Sequence, residues 1–128
     1  MIDFLVEHDG VDKCVLIGSM SEDQRMQLAA YFASLPHEPF EQDIDPARVA
    51  AGEALHQARC ERCHTENGTE PLDDAAILAG QSIGYLERQL INFRSGDRWQ
   101  PRMMSRQTDD LSEDEILSLA HFYASVRR

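Results

Sequence analysis

The sequence contains no apolar run approaching the ~20 residues that a membrane-crossing helix requires. Its opening, Met1-Ile2-Asp3-Phe4-Leu5-Val6-Glu7, has neither a basic n-region nor a long apolar stretch, so it does not read as a signal peptide. Positive charge is scarce: 12 Lys and Arg stand against 23 Asp and Glu, a formal charge of −11. So acidic a chain repels a phosphate backbone. That excludes nucleic-acid binding and favours partner proteins with a basic docking face. The excess is uneven, −7 over residues 1–44 and −4 over residues 45–128. Cysteine is sparse as well, with Cys14, Cys60 and Cys63 alone. No second C-x-x-C or H-x-x-x-H is present, so Cys14, His56 and His64 could complete a zinc cage only at an unusual spacing. No strand pattern surrounds Cys60, which removes the βαβ setting of a thioredoxin-like pair. Cys14 reads as a small buried hydrophobe unless it bonds another chain.

What is present centres on Cys60-Glu61-Arg62-Cys63-His64, the C-x-x-C-H attachment site of a c-type haem. Two thiols one helical turn apart can add across the two vinyl groups of one porphyrin. The imidazole that follows is then held under the iron as proximal ligand. Met103-Met104, downstream, offers a sulfur for the opposite face. Covalent haem attachment takes place outside the bacterial inner membrane, so the expected location is the periplasm, with any leader upstream of this chain.

The chain holds one domain of ordinary size, or one small domain with an appendage. Residues 1–20 contain two short apolar runs around a His8-Asp9-Gly10 turn, and length does not decide helix against strand there. Ser21-Glu22-Asp23-Gln24 is a capping box opening a helix with Met26, Leu28, Ala29, Phe32 and Ala33 as its apolar stripe. Pro36, Pro39 and Pro46, with acids between, mark residues 36–45 as a linker. Asp45-Pro46 starts a second helix that runs into Cys60. Gly52, in its interior, costs about 1 kcal/mol relative to Ala, which implies another helix crossing at close range. A loop follows His64, then a third helix over about 83–94, then a loop from 96 to 108 carrying both methionines. Ser112-Glu113-Asp114-Glu115 caps the last helix, with Ile116, Leu119, Ala120, Tyr123 and Val126 as its buried stripe.

Residues 20–35 repeat in residues 111–126, identical at seven of sixteen positions without a gap. The shared cap and A-x-x-x-A-S tail argue for duplication. Nothing like C-x-x-C-H precedes the first copy, and Met104 aligns with Lys13. Residues 1–44 therefore read as a linker plus the remnant of a unit that has lost its haem apparatus, and residues 45–128 as the haem domain.

From Asp45 onward the chain resembles a class I c-type cytochrome. It is most similar to the second half of tandem-domain dihaem cytochromes, and also to the haem subunits of flavocytochromes. The resemblance rests on the haem motif, Leu78-Ala79-Gly80-Gln81, Tyr85 through Leu90, Phe93 through Arg98, Met104, and Leu111 through Tyr123. It implies an all-α fold of helices around one covalently attached haem c, here with a short helical N-terminal extension. It implies His64 and Met104 as axial ligands, Met103 being the competitor, and Gly52 set against the aromatic face of Phe122-Tyr123. Three departures stand out. Thr65 replaces a glycine, and Ala76-Ile77 stand where a proline carbonyl often orients the proximal imidazole. His56 replaces an aromatic.

An iron with both axial positions filled leaves no open site for substrate, so the expected work is one-electron transfer rather than catalysis. Arg94, Arg98 and Trp99 are candidates to bind the haem propionates. One form of the expectation is a free shuttle between redox proteins. The alternative is an electron-transfer subunit docked on a catalytic partner. A Met-displaceable haem that senses a gas or reacts with peroxide is a third, weaker form.

Overall fold

The structure is a computed structural model, and it describes residues 17–36, 41–71 and 75–127. Cys14, the His8-Asp9-Gly10 turn and most of the ambiguous N-terminal runs lie outside the described residues. The chain divides into two compact units, Met1–His37 and Glu38–Arg128.

In the first unit, α1 spans Glu22–Ser34. Ser21 Oγ accepts from the Gln24 backbone N–H at 3.2 Å, and Gln24 Oε1 accepts from the Ser21 N–H at 2.9 Å, so the capping box forms. The apolar stripe is not a buried one. Met26 is 65% exposed and Phe32 61%, and α1 buries none of its residues. Leu28, Tyr31, Phe32 and Leu35 stand at i, i+3, i+4 and i+7, so they share one face, and all four are exposed.

The second unit is built of α2 (Pro46–Arg59), α3 (Ile83–Ser95), α4 (Arg102–Thr108) and α5 (Glu113–Ser125). Its centre is the crossing of α2 over α5, which is the most extensive helix pairing, with α3 against α5 next. Asp45 caps α2 through the Ala47 N–H at 2.9 Å with Pro46 at the first helical position, as the sequence predicts. Gly52 explains the crossing. A Cβ there would lie 2.1 Å from the Ser118 carbonyl oxygen and 2.7 Å from Phe122 Cβ. The Tyr123 ring also lies against Gly68. Ile116, Leu119, Ala120, Phe122, Tyr123 and Ala124 of α5 join Leu86 and Leu111 in the core. Each large apolar side chain so enclosed contributes about 1.5–3 kcal/mol relative to exposure. Val126 is only partly buried.

Gln42 ties the approach to α2 into this unit: its Nε2 donates to the Gln81 carbonyl at 3.1 Å, and its Oε1 accepts from the Ile83 N–H at 2.8 Å. Ile44 packs on the core. Residues 41–45 are thus held by side-chain bonds that the proline and acid pattern did not reveal.

The segment carrying the methionines is a helix, α4, and not the loop expected from sequence. Pro101 begins it: its carbonyl accepts from Met104 N–H at 2.9 Å and from Ser105 N–H at 3.0 Å. Proline at a helix entrance has a suitable fixed φ and lacks only a donor that would go unused. Arg, Met and Gln are good helix formers.

Both copies of the internal repeat form the same local bonds. At the C-terminal end of α1 the Leu35 N–H reaches Phe32 O at 3.3 Å and Ser34 Oγ donates to Tyr31 O at 2.7 Å. In α5 the equivalent Val126 and Ser125 bonds measure 3.3 and 2.6 Å.

Candidate haem-attachment site

The motif occupies the turn that closes α2. Cys60 and Glu61 N–H both donate to the His56 carbonyl, at 2.8 and 2.9 Å, and Cys63 and His64 N–H both donate to the Cys60 carbonyl, at 3.1 and 2.9 Å. Those bonds wind residues 60–64 into a compact loop. Both thiols are free, Cys63 exposed and Cys60 half-buried. Burial pushes the Cys60 thiol up, while the Tyr123 hydroxyl and Arg59 pull it partly back.

After His64 the backbone reverses sharply. Glu66 and Asn67 take positive φ of 53° and 59°, and Gly68 follows at 77°. Asn tolerates this region, Glu does so at a cost, and Gly is at home there. A side chain at Gly68 would also meet Leu78 Cβ at 3.1 Å and the Tyr123 ring at 3.2 Å. The Gly68 carbonyl accepts from Leu78 and Ala79 N–H at 2.9 and 3.1 Å, and Gly80 N–H donates to Tyr123 O at 2.9 Å. The Leu78-Ala79-Gly80 segment is thereby fixed beside the turn, with Ala76 just ahead of it.

Ala76 does what the family's proline carbonyl would do. His64 Nδ1 donates to the Ala76 carbonyl at 3.1 Å, which leaves Nε2 as the ring nitrogen with a free lone pair. Burial lowers the His64 pKa below its ordinary value, against the opposing effect of that bond, and this favours the neutral, ligating form. A carbonyl needs no particular side chain, so proline is dispensable at this place.

Met104 is half-buried and Met103 is 56% exposed, both on α4. Arg59, at the end of α2, anchors the far end of α4, reaching the Gln107 carbonyl at 3.4 Å and Asp110 at 2.7 Å. Thr108, buried, donates to Gln100 Oε1 at 3.0 Å and closes the preceding loop. Of the three propionate candidates, Arg94 donates to Leu111 O at 2.7 Å and Arg98 to Gln89 Oε1 at 2.5 Å. Arg98 also stacks 4.6 Å over the Phe93 ring, and Trp99 is 82% exposed. The two arginines therefore brace α3 against its neighbours.

Sequence reasoning missed one cluster. His56, where the family carries an aromatic, is fully buried and bonded on both nitrogens, to the Tyr123 hydroxyl at 2.8 Å and to the Glu61 carboxylate. Its ring still fills an aromatic's place, with centroids 5.2 Å from Phe122 and 5.4 Å from Tyr123. The available signal was Glu61, five residues on and inside the motif.

The donor set fits a covalently held porphyrin: two free thiols on one turn, then an imidazole whose Nδ1 is engaged and whose Nε2 keeps its lone pair. Among the described residues no group of three or more His, Cys, Asp or Glu side chains could hold a metal ion. No helix among them is long and apolar enough to cross a membrane.

Comparison with known proteins gives the same direction. The family model described as cytochrome c oxidase, cbb3-type, subunit III matches residues 47–122. Cytochrome c4 of Azotobacter vinelandii is 36% identical over 93 residues, covering 65% of this chain and 43% of that protein. Cytochrome c4 of Pseudomonas aeruginosa is 33% identical over 79 residues, 62% of this chain and 38% of that protein. The crystal structure of reduced recombinant cytochrome c4 from Pseudomonas stutzeri aligns with a TM-score of 0.72 at 27% identity. That alignment covers 94% of this chain and 71% of that chain. The chain spans less than half the length of the curated relatives it matches.

Proposed function

Because this chain belongs to the cytochrome c family described as cbb3-type oxidase subunit III, and has the all-α class I cytochrome fold, we propose that it is a one-electron carrier. The observation that carries the reading is the turn itself. Cys60 and Cys63 are free on one loop, and the bond from His64 Nδ1 to the Ala76 carbonyl leaves Nε2 as the nitrogen with an available lone pair.

In this reading Cys60 and Cys63 hold one haem c through thioethers, and His64 and Met104 are its axial ligands. Haem bound in this way supplies a reversible ferric–ferrous couple. The protein's part is to hold both ligands, keep His64 neutral and bury the surrounding apolar side chains of α2, α3 and α5. Arg59, by linking the end of α2 to the far end of α4, ties the segment carrying His64 to the one carrying Met104. Met104 is favoured over Met103 because it is the less exposed of the two.

The expected location is the periplasm. Residues 1–44, with their surplus of acids, would steer a redox partner with a basic docking face. They also read as the remnant of a haem-less cytochrome unit, since α1 and α5 share sequence and cap bonds. A second reading, an electron-transfer subunit of a larger oxidoreductase, is favoured by the family description, which names an oxidase subunit.

Two measurements test the proposal. A redox titration of the haem-loaded protein gives a single reversible one-electron couple; irreversible behaviour, or substrate turnover, would oppose it. Met104→Ala removes the sulfur-to-iron charge-transfer band at the red end of the ferric spectrum. Persistence of that band would assign the axial position to Met103.

A further inference from the structure

The proposed ligation uses Met104 but none of the polar contacts around it. Met104 stands on α4, a helix of only seven residues. So short a helix is marginal by itself, and its rotation is set by what its ends are tied to. Along α4, Arg102, Met103 and Arg106 are exposed, whereas Met104, Ser105 and Gln107 are half-buried and Thr108 is buried. Thr108 follows Met104 by four residues, about 40° around the helix, and Met103 by five, about 140°. Holding Thr108 inward therefore turns Met104 inward and Met103 out.

What holds Thr108 is Gln100, one residue ahead of the proline that opens α4. Gln100 Nε2 donates to the Phe93 carbonyl, in the last turn of α3, at 3.0 Å, and Gln100 Oε1 accepts from Thr108 Oγ1 at 3.0 Å. Both directions follow from the acceptors. The Phe93 carbonyl only accepts, which sets the amide nitrogen toward it and the amide oxygen toward Thr108. That oxygen only accepts in turn, so it takes the single hydroxyl proton. The Met104 and Ser105 carbonyls, both 3.4 Å from the hydroxyl, are weaker alternatives. One side chain thus spans from the end of α3 to the end of α4.

We propose that Gln100 and Thr108 form a strut that sets the rotation of α4 and so keeps Met104 on its inward face, both acting as positioning residues. The proposal rests on the haem reading with Met104 as a ligand. Arg59 reaches the same end of α4 from α2, through the Gln107 carbonyl and the Asp110 carboxylate. Neither of those contacts is to a side chain of α4. The Arg59 tether therefore fixes where that end lies and leaves the choice of face to Thr108.

The test titrates the haem-loaded ferric protein with imidazole, a small ligand that must displace the methionine sulfur to bind. Its apparent affinity rises by the factor by which Met104 is held less well. Thr108→Val keeps the side-chain shape and removes the hydroxyl, so with one ordinary hydrogen bond gone imidazole binds roughly fivefold more tightly. Gln100→Leu removes both arms of the strut and raises the affinity further, toward roughly thirtyfold. Thr108→Ser keeps the hydroxyl, loses only the methyl, and stays near the wild-type value. A purely structural role reverses that order, because the serine opens a void at a buried position and the valine does not. Equal imidazole affinity in wild type and Thr108→Val would overturn the proposal, as would a rise for Thr108→Ser as large as that for Thr108→Val. If Thr108→Val takes up no haem, Gln100→Leu, at a half-buried loop position, carries the same expectation and the same refutation. Failure of the underlying reading looks different. Wild type without haem removes the haem reading, and loss of the sulfur-to-iron band in Met103→Leu rather than Met104→Leu removes Met104; either takes the proposal with it.

Discussion

Gly52→Ala is expected to loosen the central helix crossing. The added methyl would lie 2.1 Å from the Ser118 carbonyl oxygen, 2.7 Å from the Ser118 carbonyl carbon and 2.7 Å from Phe122 Cβ. Two of these neighbours are backbone and cannot swing aside, so α2 must move away from α5. Overpacking of this kind costs about 1–3 kcal/mol, and a backbone obstruction belongs at the upper end. Alanine returns about 1 kcal/mol of helix propensity. The net loss is therefore about 2 kcal/mol, or roughly 8–16 °C in Tm for a unit of this size. Gly84→Ala is the matched control. It lies in α3 with nothing within 4 Å of an added Cβ, so propensity acts alone and the Tm rises slightly. Thermal unfolding of the haem-loaded protein, followed by circular dichroism, reads both. A Gly52→Ala protein as stable as wild type would refute the close crossing.

Acid stability should report Glu61. Its carboxyl is held below the ordinary value of 4.5 in the fold, so its contribution is complete above that value and is lost as the pH falls through the lower folded one. In melts taken from neutral to acid pH, Glu61→Gln should flatten that limb, and an unchanged limb would assign the acid loss to other groups. If the acids of residues 1–44 steer docking, electron transfer to a basic partner slows as salt rises, and a salt-independent rate measured by stopped flow would count against steering.

The elements most legible in the sequence were those with local chemistry at their ends. Ser21, Asp45 and Ser112 announce three helix starts because a cap needs a short oxygen-bearing side chain at one position. Gly52 announced the helix crossing because nothing smaller exists. The helix carrying Met103 and Met104 was missed because Pro101 starts as readily as it stops, and only the bonds to its carbonyl decide which. The exposure of α1 was equally hidden, since an apolar pattern does not reveal what covers it. Around the turn, the motif announced Cys60, Cys63 and His64. The partner of His64 is a backbone carbonyl, which any residue can supply, so no letter at position 76 could reveal it. His56, Glu61 and Tyr123 meet only through folding, across 67 positions of sequence separation between His56 and Tyr123.

The most direct measurement of the central claim is a pyridine haemochrome spectrum of protein produced with a working haem-maturation system, paired with mass analysis after thiol alkylation. The account predicts haem c at one per chain, with Cys60 and Cys63 both closed to the alkylating reagent. Colourless protein with both thiols alkylated would contradict it.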